Sequence, residues 1–338
     1  MNLGRTALLV FLFLASSLIL CAQEYLIKFA TLAPEGSTWL NVMREYDSEV
    51  RKESGGRLGF KIYGGGVAGD EKDVIRKIRL GQFHSAGFTG VGLGEIAPKV
   101  RVLDCPFLFQ SYDEVDYVYK TFDKEFAQAF EENRYVLLGW AEVGFVYIFS
   151  QSPIYGVDDV RKTKMWIWEG DPIAEATLKS LGVSATPLSI TDVLTSLQTG
   201  MINAVYTSPL GAIALQWFTR VKYMLNLPLA DAAGAVVIWK KKFDDLPPDL
   251  REILLRNGQK YMEKLTRLSR EDNRKAIETL KKNSIKLIAP PSTETIREYF
   301  GIGERARRTL VGKLFSEEFL TRVEKAVLDF RSHEKHSK

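Results

Sequence analysis

Residues 247–283 read PPDLREILLRNGQKYMEKLTRLSREDNRKAIETLKKN, and almost none of them breaks a helix. Apolar residues recur at helical spacing from Leu250 to Leu280, which predicts one amphipathic helix. A helix of about 36 residues is about 54 Å long at a rise of about 1.5 Å per residue. That length exceeds what one small domain needs, so the segment predicts a helix that spans two lobes. Gly258 is a candidate position for a bend.

The rest of the chain alternates strand patterns with helix patterns. Predicted strands lie at 24–34, 58–63, 135–150 and 164–168, and predicted helices lie at 37–54, 70–81, 189–200, 293–311 and 316–331. Ser189 and Asp192 have capping-box spacing at the start of one of these helices, and Gly200 ends it. The alternation predicts an α/β protein with mostly parallel sheets.

The predicted strand KMWIW holds two of the six tryptophans of the chain. Alternate side chains of a strand point to opposite faces, so Lys164, Trp166 and Trp168 share one face. Met165 and Ile167 share the other. We therefore expect this strand to present two indoles to a single surface.

The composition is that of a globular protein. A hydrophobic content of 46% can bury a sizeable core, and 338 residues suffice for one large or two ordinary domains. The net charge of +4 comes from interspersed acids and bases without a long basic block, which argues against nucleic-acid binding. A mean hydropathy close to zero argues against a protein with several membrane spans.

The N-terminus has the pattern of a secretory signal. Arg5 precedes the uncharged apolar run TALLVFLFLASSLILCA, which ends in small residues. Cleavage after Ala22 is predicted to give a periplasmic protein that starts at Gln23. A lipid anchor at Cys21 and an uncleaved membrane anchor are the alternatives. The bulky Leu20 argues against the first, and a run shorter than about 20 residues argues against the second.

No catalytic or metal-binding pattern stands out. Gly64, Gly66 and Gly69 fit G-x-G-x-x-G, but no acidic residue follows about 20 positions later, which favours a tight turn over a dinucleotide site. His84 and the other two histidines lack metal-ligand spacing. Cys105 lies in the apolar stretch LDCPFLF, which indicates a buried structural thiol. We predict no enzyme activity, no cofactor and no metal.

Aromatic residues fall near predicted strand ends and loops, where open α/β sheets form their ligand crevice. The candidates are Phe88, Trp140, Phe145, Trp166, Trp168, Tyr206 and Trp217. Core packing is the alternative role for each of them.

Three segments carry a family resemblance. They are GGGVAGDEKDVIRKIRLGQFHSA at 64–86, VLDCPFLFQSYDEV at 102–115 and LGVSATPLSITDVLTSLQTGMINAVYTSP at 181–209. These segments resemble the substrate-binding proteins of TRAP transporters (tripartite ATP-independent periplasmic transporters) of the DctP type. The resemblance covers nearly the whole mature chain. It implies two α/β lobes joined by crossing strands, with a long helix that contacts both. It also implies a receptor that binds a solute between the lobes, closes by a hinge motion and delivers the solute to a membrane permease. A periplasmic tetratricopeptide-repeat protein is a further partner that the resemblance allows.

The chain departs from the binding pattern that this resemblance implies. Family members usually pair an organic acid with an arginine in a K-I-R-V strand, and this sequence has KMWI there, with Trp166 at the arginine position. Val146 occupies the position of a second basic residue in the family pattern, and Tyr206 and Thr207 occupy positions where a Glu-Asn pair is common. Ile190 occupies the position at which the family has an aromatic residue at the start of a helix. An indole cannot supply the bidentate contact of a guanidinium. We therefore expect this site to lack the family's anion pocket.

The predicted ligand is a small apolar or amphipathic solute. We expect the two indoles of KMWIW to provide stacking or a wall, and Tyr206 or Thr207 to provide a hydrogen bond. The predicted ligand-binding residues are Phe88, Thr89, Val146, Trp166, Trp168, Ile190, Tyr206 and Thr207. A conventional organic-acid binder that uses Lys164 or Arg101 is the alternative. A structural protein that has lost its ligand comes next, and an enzyme comes last.

The predicted organisation is a two-lobed periplasmic binding protein fold. Its parts are a signal peptide at 1–22, a first lobe at 24–143 plus 232–270, a second lobe at 144–231 plus 271–332, and a charged tail at 333–338.

Overall fold

The computed structural model describes residues 25–337. The predicted signal peptide and Cys21 lie outside this range. Within the described range, no helix is both long enough and apolar enough to cross a membrane.

Strands and helices alternate along most of the chain. The strands are β1 Tyr25–Thr31, β2 Leu58–Tyr63, β3 Ser85–Thr89, β4 Tyr135–Trp140, β5 Gly144–Ser150, β6 Met165–Trp168, β7 Ala185–Leu188, β8 Ala204–Thr207, β9 Tyr223–Leu225, β10 Ala230–Ala232, β11 Gly234–Trp239 and β12 Lys286–Ile288. The helices are α1 Thr38–Glu53, α2 Glu71–Arg79, α3 Gly90–Ile96, α4 Tyr112–Glu132, α5 Val157–Arg161, α6 Pro172–Leu181, α7 Val193–Thr199, α8 Pro209–Ala214, α9 Lys240–Asp244, α10 Pro248–Lys282, α11 Thr293–Leu310 and α12 Glu317–Ser337. Short 3-10 helices lie at Pro98–Asp104, Ile190–Asp192 and Trp217–Thr219.

The first sheet has the strand order β2-β1-β3-β11-β4. Strand β1 is parallel to β2 and β3, whereas β11 is antiparallel to β3 and β4. Apolar side chains of its strands, such as Ile27, Phe29 and Val236, are fully buried. Parallel neighbours require crossover connections, and α1 and α2 lie in those connections.

The second sheet has the strand order β12-β9-β5-β8-β6-β7, and β10 pairs with β5. Strand β6 is parallel to β7 and β8, and β5 is antiparallel to β8, β9 and β10. Both sheets are therefore mixed, and the prediction of mostly parallel sheets is wrong. The chain crosses directly between the sheets after β4 and again before β11. A strand that enters from the other sheet is not held parallel by a βαβ crossover.

Strand β6 confirms the alternation predicted for KMWIW. Trp166 and Trp168 belong to one hydrophobic cluster with Phe149. Met165 and Ile167 belong to another cluster on the opposite face. The strand therefore separates two cores, and its indoles face the side on which the cavity described below lies.

The long helix α10 is continuous over 35 residues, as predicted. It packs on α1 and β4 beside the first sheet and on α8 and β5 beside the second. The prediction of an α/β fold with a long helix spanning two lobes is therefore confirmed. Gly258 serves close packing at the first sheet, because a Cβ atom there would lie 2.5 Å from the carbonyl oxygen of Leu138.

The last helix, α12, lies on the side of the first sheet. The ring of Phe319 packs edge-on against Phe122 and Phe126 of α4, which in turn covers β4. We predicted residues 271–332 in the second lobe, and α12 departs from that division. Its sequence period reveals an apolar face but not the partner of that face. The other lobe boundaries stay a prediction.

Candidate functional site

A cavity of about 430 Å³ lies between the two sheets. Ends of strands and the loops that follow them line it from both sides, as expected for ligand crevices in open α/β sheets. All eight predicted binding residues line this cavity: Phe88, Thr89, Val146, Trp166, Trp168, Ile190, Tyr206 and Thr207. Whether they contact a ligand stays a prediction.

Trp166 is enclosed by other aromatic rings. It is 1% exposed, and its ring stacks on Tyr206 with the centroids 4.8 Å apart. The edge of Trp217 approaches it at 5.2 Å, and its Nε1 donates a hydrogen bond to the carbonyl oxygen of Leu188 at 3.1 Å. Trp166 therefore supports Tyr206 from behind, and other rings cover the faces that were expected to stack on a ligand.

Trp168 joins the two halves of the molecule. Its Nε1 donates a hydrogen bond to Asp70 Oδ2 at 3.2 Å, and Ser189 Oγ donates to the same oxygen at 2.7 Å. Asp70 is the N-cap of α2 beside the first sheet, whereas Trp168 and Ser189 belong to the second. Because its hydroxyl is used here, Ser189 makes no side-chain cap on the helical segment that follows it, unlike the predicted capping box.

The wall of the cavity is mostly apolar, and sequence reasoning missed part of it. Leu32, Trp39, Leu210, Ile213 and Leu215 also line the cavity. Leu32 lies directly after β1 and could have been found from its position at a strand end, whereas Trp39 lies in the first turn of α1. The other three belong to α8 and its C-terminal end, which the sequence patterns did not single out. Two of the aromatic candidates, Trp140 and Phe145, are not among the lining residues and pack in the core instead.

Arg101 is the only base among the described residues that line the cavity. Its Nε lies 2.9 Å from Asp104 Oδ2, and its Nη2 donates to Asp171 Oδ1 at 2.7 Å. Burial alone would lower the pKa of Arg101, but the two carboxylates outweigh this effect and raise it. Burial raises the pKa of Asp104 to about 6, although Arg101 opposes the shift. The guanidinium is therefore already paired within the protein.

Two further acids lie at the cavity and are deeply buried. Glu71 accepts hydrogen bonds from the Thr89 and Gly92 amides at 2.7 Å, and burial raises its pKa to about 8. Both side-chain oxygens of Asp231 are buried without a hydrogen-bond partner among the described residues. Burial raises the pKa of Asp231 well above its usual range, which favours the neutral acid.

Three residues considered from the sequence lie outside the cavity. Lys164 is exposed, and its Nζ is 3.5 Å from the carbonyl oxygen of Gly200. His84 Nδ1 accepts a hydrogen bond from the Lys28 amide at 3.1 Å. Cys105 is a buried free thiol, as predicted, and burial raises its pKa.

The family comparison decides which group of proteins this chain belongs to. The family model "bacterial extracellular solute-binding protein, family 7" (DctP) matches residues 29–301. This chain belongs to family 7. A solute-binding protein of Chromohalobacter salexigens is 31% identical over 166 residues, which are 48% of this chain and 48% of that protein. The chain therefore spans about half the length of this relative.

Solved structures show the same fold. A TRAP periplasmic solute binding protein from Citrobacter koseri with bound D-glucuronate has a TM-score of 0.80 at 21% identity, covering 90% of this chain and 99% of that chain. One from Desulfovibrio salexigens with bound orotic acid has a TM-score of 0.83 at 15% identity, with coverages of 90% and 99%. This similarity supports the two-lobed architecture of the family 7 chain.

Proposed function

We infer that this protein is an extracytoplasmic receptor of a TRAP-type uptake system and that its ligand is a small apolar or amphipathic solute. The observation that supports this ligand class is that Arg101 is already paired with carboxylates of the protein. This residue is the one base among the described lining residues, and both Asp104 and Asp171 already bind it. The remaining wall is mostly apolar, so burial of an apolar solute is favourable there.

The residues at the expected anion positions support this ligand class. Trp166 and Val146 stand where the family resemblance expects bases, and both line the cavity. Val146 offers only apolar surface, and the Trp166 N–H is used by Leu188. A carboxylate placed against these two residues would lose its hydration without gaining a partner.

The receptor is proposed to close around its solute and to release it to the permease subunits. The chain crosses between the sheets beside the cavity, after β4 and before β11, and Asn273 of α10 ties the first crossing in place. Its Nδ2 donates to the Val143 carbonyl oxygen at 2.8 Å, and its Oδ1 accepts from the Leu210 amide at 2.9 Å. These crossings are candidate hinges for rotation of one half against the other. A tetratricopeptide-repeat protein is proposed as a further partner in the periplasm, and no cofactor, metal or catalytic step is proposed.

Export is proposed to proceed through the signal peptide at 1–22. N-terminal sequencing of the protein from its own cells tests this, with Gln23 as the expected first residue. An acylated N-terminal Cys21 would instead identify a lipid-anchored receptor.

An organic acid is the second candidate ligand, because the two solved relatives described above hold D-glucuronate and orotic acid. In this chain Arg101 would first have to release an internal carboxylate, and Lys164 lies outside the cavity.

Thermal unfolding with millimolar D-glucuronate or orotate separates the two candidates. A ligand at 100 times its Kd adds about 2.7 kcal/mol to the free energy of unfolding, which is easily detected. We expect no change in Tm. A rise of several degrees with either acid would establish the organic-acid alternative.

A further inference from the structure

Acidic side chains outnumber basic side chains at the cavity. Asp104 and Asp171 face the single guanidinium of Arg101, and Glu71 and Asp231 also line the cavity. Even with the last two acids neutral, one positive and two negative groups give this triad a net charge of 1 − 2 = −1. A buried net charge is unfavourable unless a further group compensates it.

Each acid of this triad has one carboxylate oxygen without a hydrogen-bond donor among the described residues. That oxygen of Asp104, Oδ2, is fully buried beside Arg101 Nε. The corresponding acceptor on the cavity side belongs to Asp171. Its Oδ1 accepts hydrogen bonds from Arg101 Nη2 at 2.7 Å and from the Ile173 amide at 3.0 Å. Its Oδ2 accepts none from the described residues, although the side chain is only 7% exposed. Asp171 Oδ2 is not one of the fully buried oxygens without a partner, so it keeps some access from the cavity. A donor on a ligand can therefore reach this oxygen.

The position of Asp171 places this oxygen at the ligand cavity. Asp171 is the N-cap of α6 and follows the end of β6 after a two-residue turn, so its carboxylate is held at the start of α6. Burial and the nearby carboxylate of Asp171 raise the pKa of Tyr206, whose hydroxyl therefore stays protonated. Asp171 and Tyr206 thus form one polar patch in an otherwise mostly apolar wall.

We propose that the ligand carries an ammonium head group that binds Asp171, while its apolar part lies against Phe88, Val146 and Ile190. This inference rests on the proposed function, because it assigns the polar end of the same solute. An ammonium group donates to the free carboxylate oxygen and neutralises the excess charge of the triad. An anionic head group would add a second excess negative charge and would have to take Arg101 from its internal partners.

Three probes with the same apolar part and different head groups test the proposal. They are 3-phenylpropylamine, 3-phenylpropan-1-ol and 3-phenylpropanoate, each titrated calorimetrically into the mature chain at pH 7. A charge-assisted hydrogen bond in a buried site corresponds to about tenfold in affinity or more. We expect the amine to bind at least tenfold more tightly than the alcohol, and the acid to bind most weakly.

The variant Asp171→Asn removes the charge and keeps a side chain that can cap α6. It should abolish the advantage of the amine over the alcohol, so that these two probes bind the variant with similar affinity. Glu169→Gln is the matched control, because Glu169 is exposed, does not line the cavity and lies two residues away. It should retain the wild-type order of the probes. If Asp171→Asn does not fold, the order of the three probe affinities for the wild-type protein decides whether the ammonium assignment holds.

The outcomes separate this inference from the proposed function. Equal binding of amine and alcohol, with weak binding of the acid, would overturn the ammonium assignment and leave an apolar receptor. Tightest binding of the acid would overturn both. No binding of any probe, or an amine advantage that persists in Asp171→Asn, would also overturn the assignment.

Discussion

Trp166 is packed among aromatic side chains, and this packing makes it a determinant of stability. Tyr206 covers one side of its ring, Trp217 approaches from another, and only 1% of the residue is exposed. We predict that Trp166→Ala lowers the free energy of unfolding by about 3–5 kcal/mol, the usual cost of truncating a large buried aromatic residue. Urea unfolding measures this loss. Ile190→Ala, at a half-buried lining residue, should cost clearly less. A Trp166→Ala variant as stable as wild type would contradict the role of this indole in the core.

His84 should make the protein less stable in acid. Its Nδ1 accepts from the Lys28 amide, so that nitrogen must be unprotonated. Burial, together with Lys242 and Lys28, lowers the pKa of His84 to about 4. The unfolded histidine binds its proton near pH 6.5, so this contribution to stability is complete above about pH 6.5 and is lost as the pH falls towards 4.

We predict that His84→Gln reduces the slope of the free energy of unfolding against pH in this window. The reduction should correspond to the uptake of at most one proton on unfolding. Urea unfolding at a series of pH values gives the slope for wild type and variant. Identical slopes between pH 6.5 and 4 would contradict the assignment.

Sequence reasoning found individual lining residues but not the contacts between them. Phe88, Val146 and Tyr206 could be placed at the cavity because strand ends and family positions are visible in the sequence. The pairing of Arg101 with Asp171 joins residues 70 positions apart in different halves of the fold. No sequence period reports such a contact, and the same holds for the contact of Asp70 with Trp168.

Among the elements, α10 was predictable and α12 was only half predictable. The helical period of α10 continues without a break for 35 residues, and its length alone indicates that it spans both lobes. For α12 the period predicted the helix, but its place beside α4 depends on the aromatic contacts of Phe319. Those contacts are set by the three-dimensional arrangement of the two helices.

Gly258 tests how closely α10 packs on the first sheet. A Cβ atom there would lie 2.5 Å from the Leu138 carbonyl oxygen and 3.1 Å from the Tyr46 hydroxyl. We predict that Gly258→Ala lowers the free energy of unfolding by about 1–3 kcal/mol, because overpacking outweighs the gain in helix propensity.

Gly301 of α11 is the matched control for this substitution. The nearest atom to a Cβ there is Arg305 Nη1 at 3.7 Å, so Gly301→Ala should stabilise by about 0.5–1 kcal/mol. Chemical denaturation of both variants measures the difference. A stabilising Gly258→Ala would mean that α10 does not pack on the first sheet as described.

At the scale of the whole molecule, polar contacts join the two halves around the cavity. Asp70 accepts from Trp168 and Ser189, and Arg101 binds Asp171. Because these contacts connect residues on opposite sides of the cavity, they should stabilise the closed form of the receptor.

The contact of Trp168 with Asp70 should slow the release of solute. Trp168→Phe keeps an aromatic ring and removes the N–H that Asp70 accepts. We predict a severalfold faster dissociation of the solute that co-purifies with the protein, because one interlobe hydrogen bond contributes about 0.5–1.5 kcal/mol.

Trp239→Phe is the control, since Trp239 packs on Tyr135 and does not line the cavity. Stopped-flow fluorescence measures both dissociation rates. An unchanged rate in Trp168→Phe would show that this contact does not hold the closed form.

The central claim is that this TRAP-type receptor holds a solute without using an anion site. Native mass spectrometry of the protein, purified gently from its own cells, tests this most directly. We predict one small solute per chain, released on denaturation, which is apolar or amphipathic and has no carboxylate. A stoichiometric organic acid, such as a uronate or a dicarboxylate, would contradict the account.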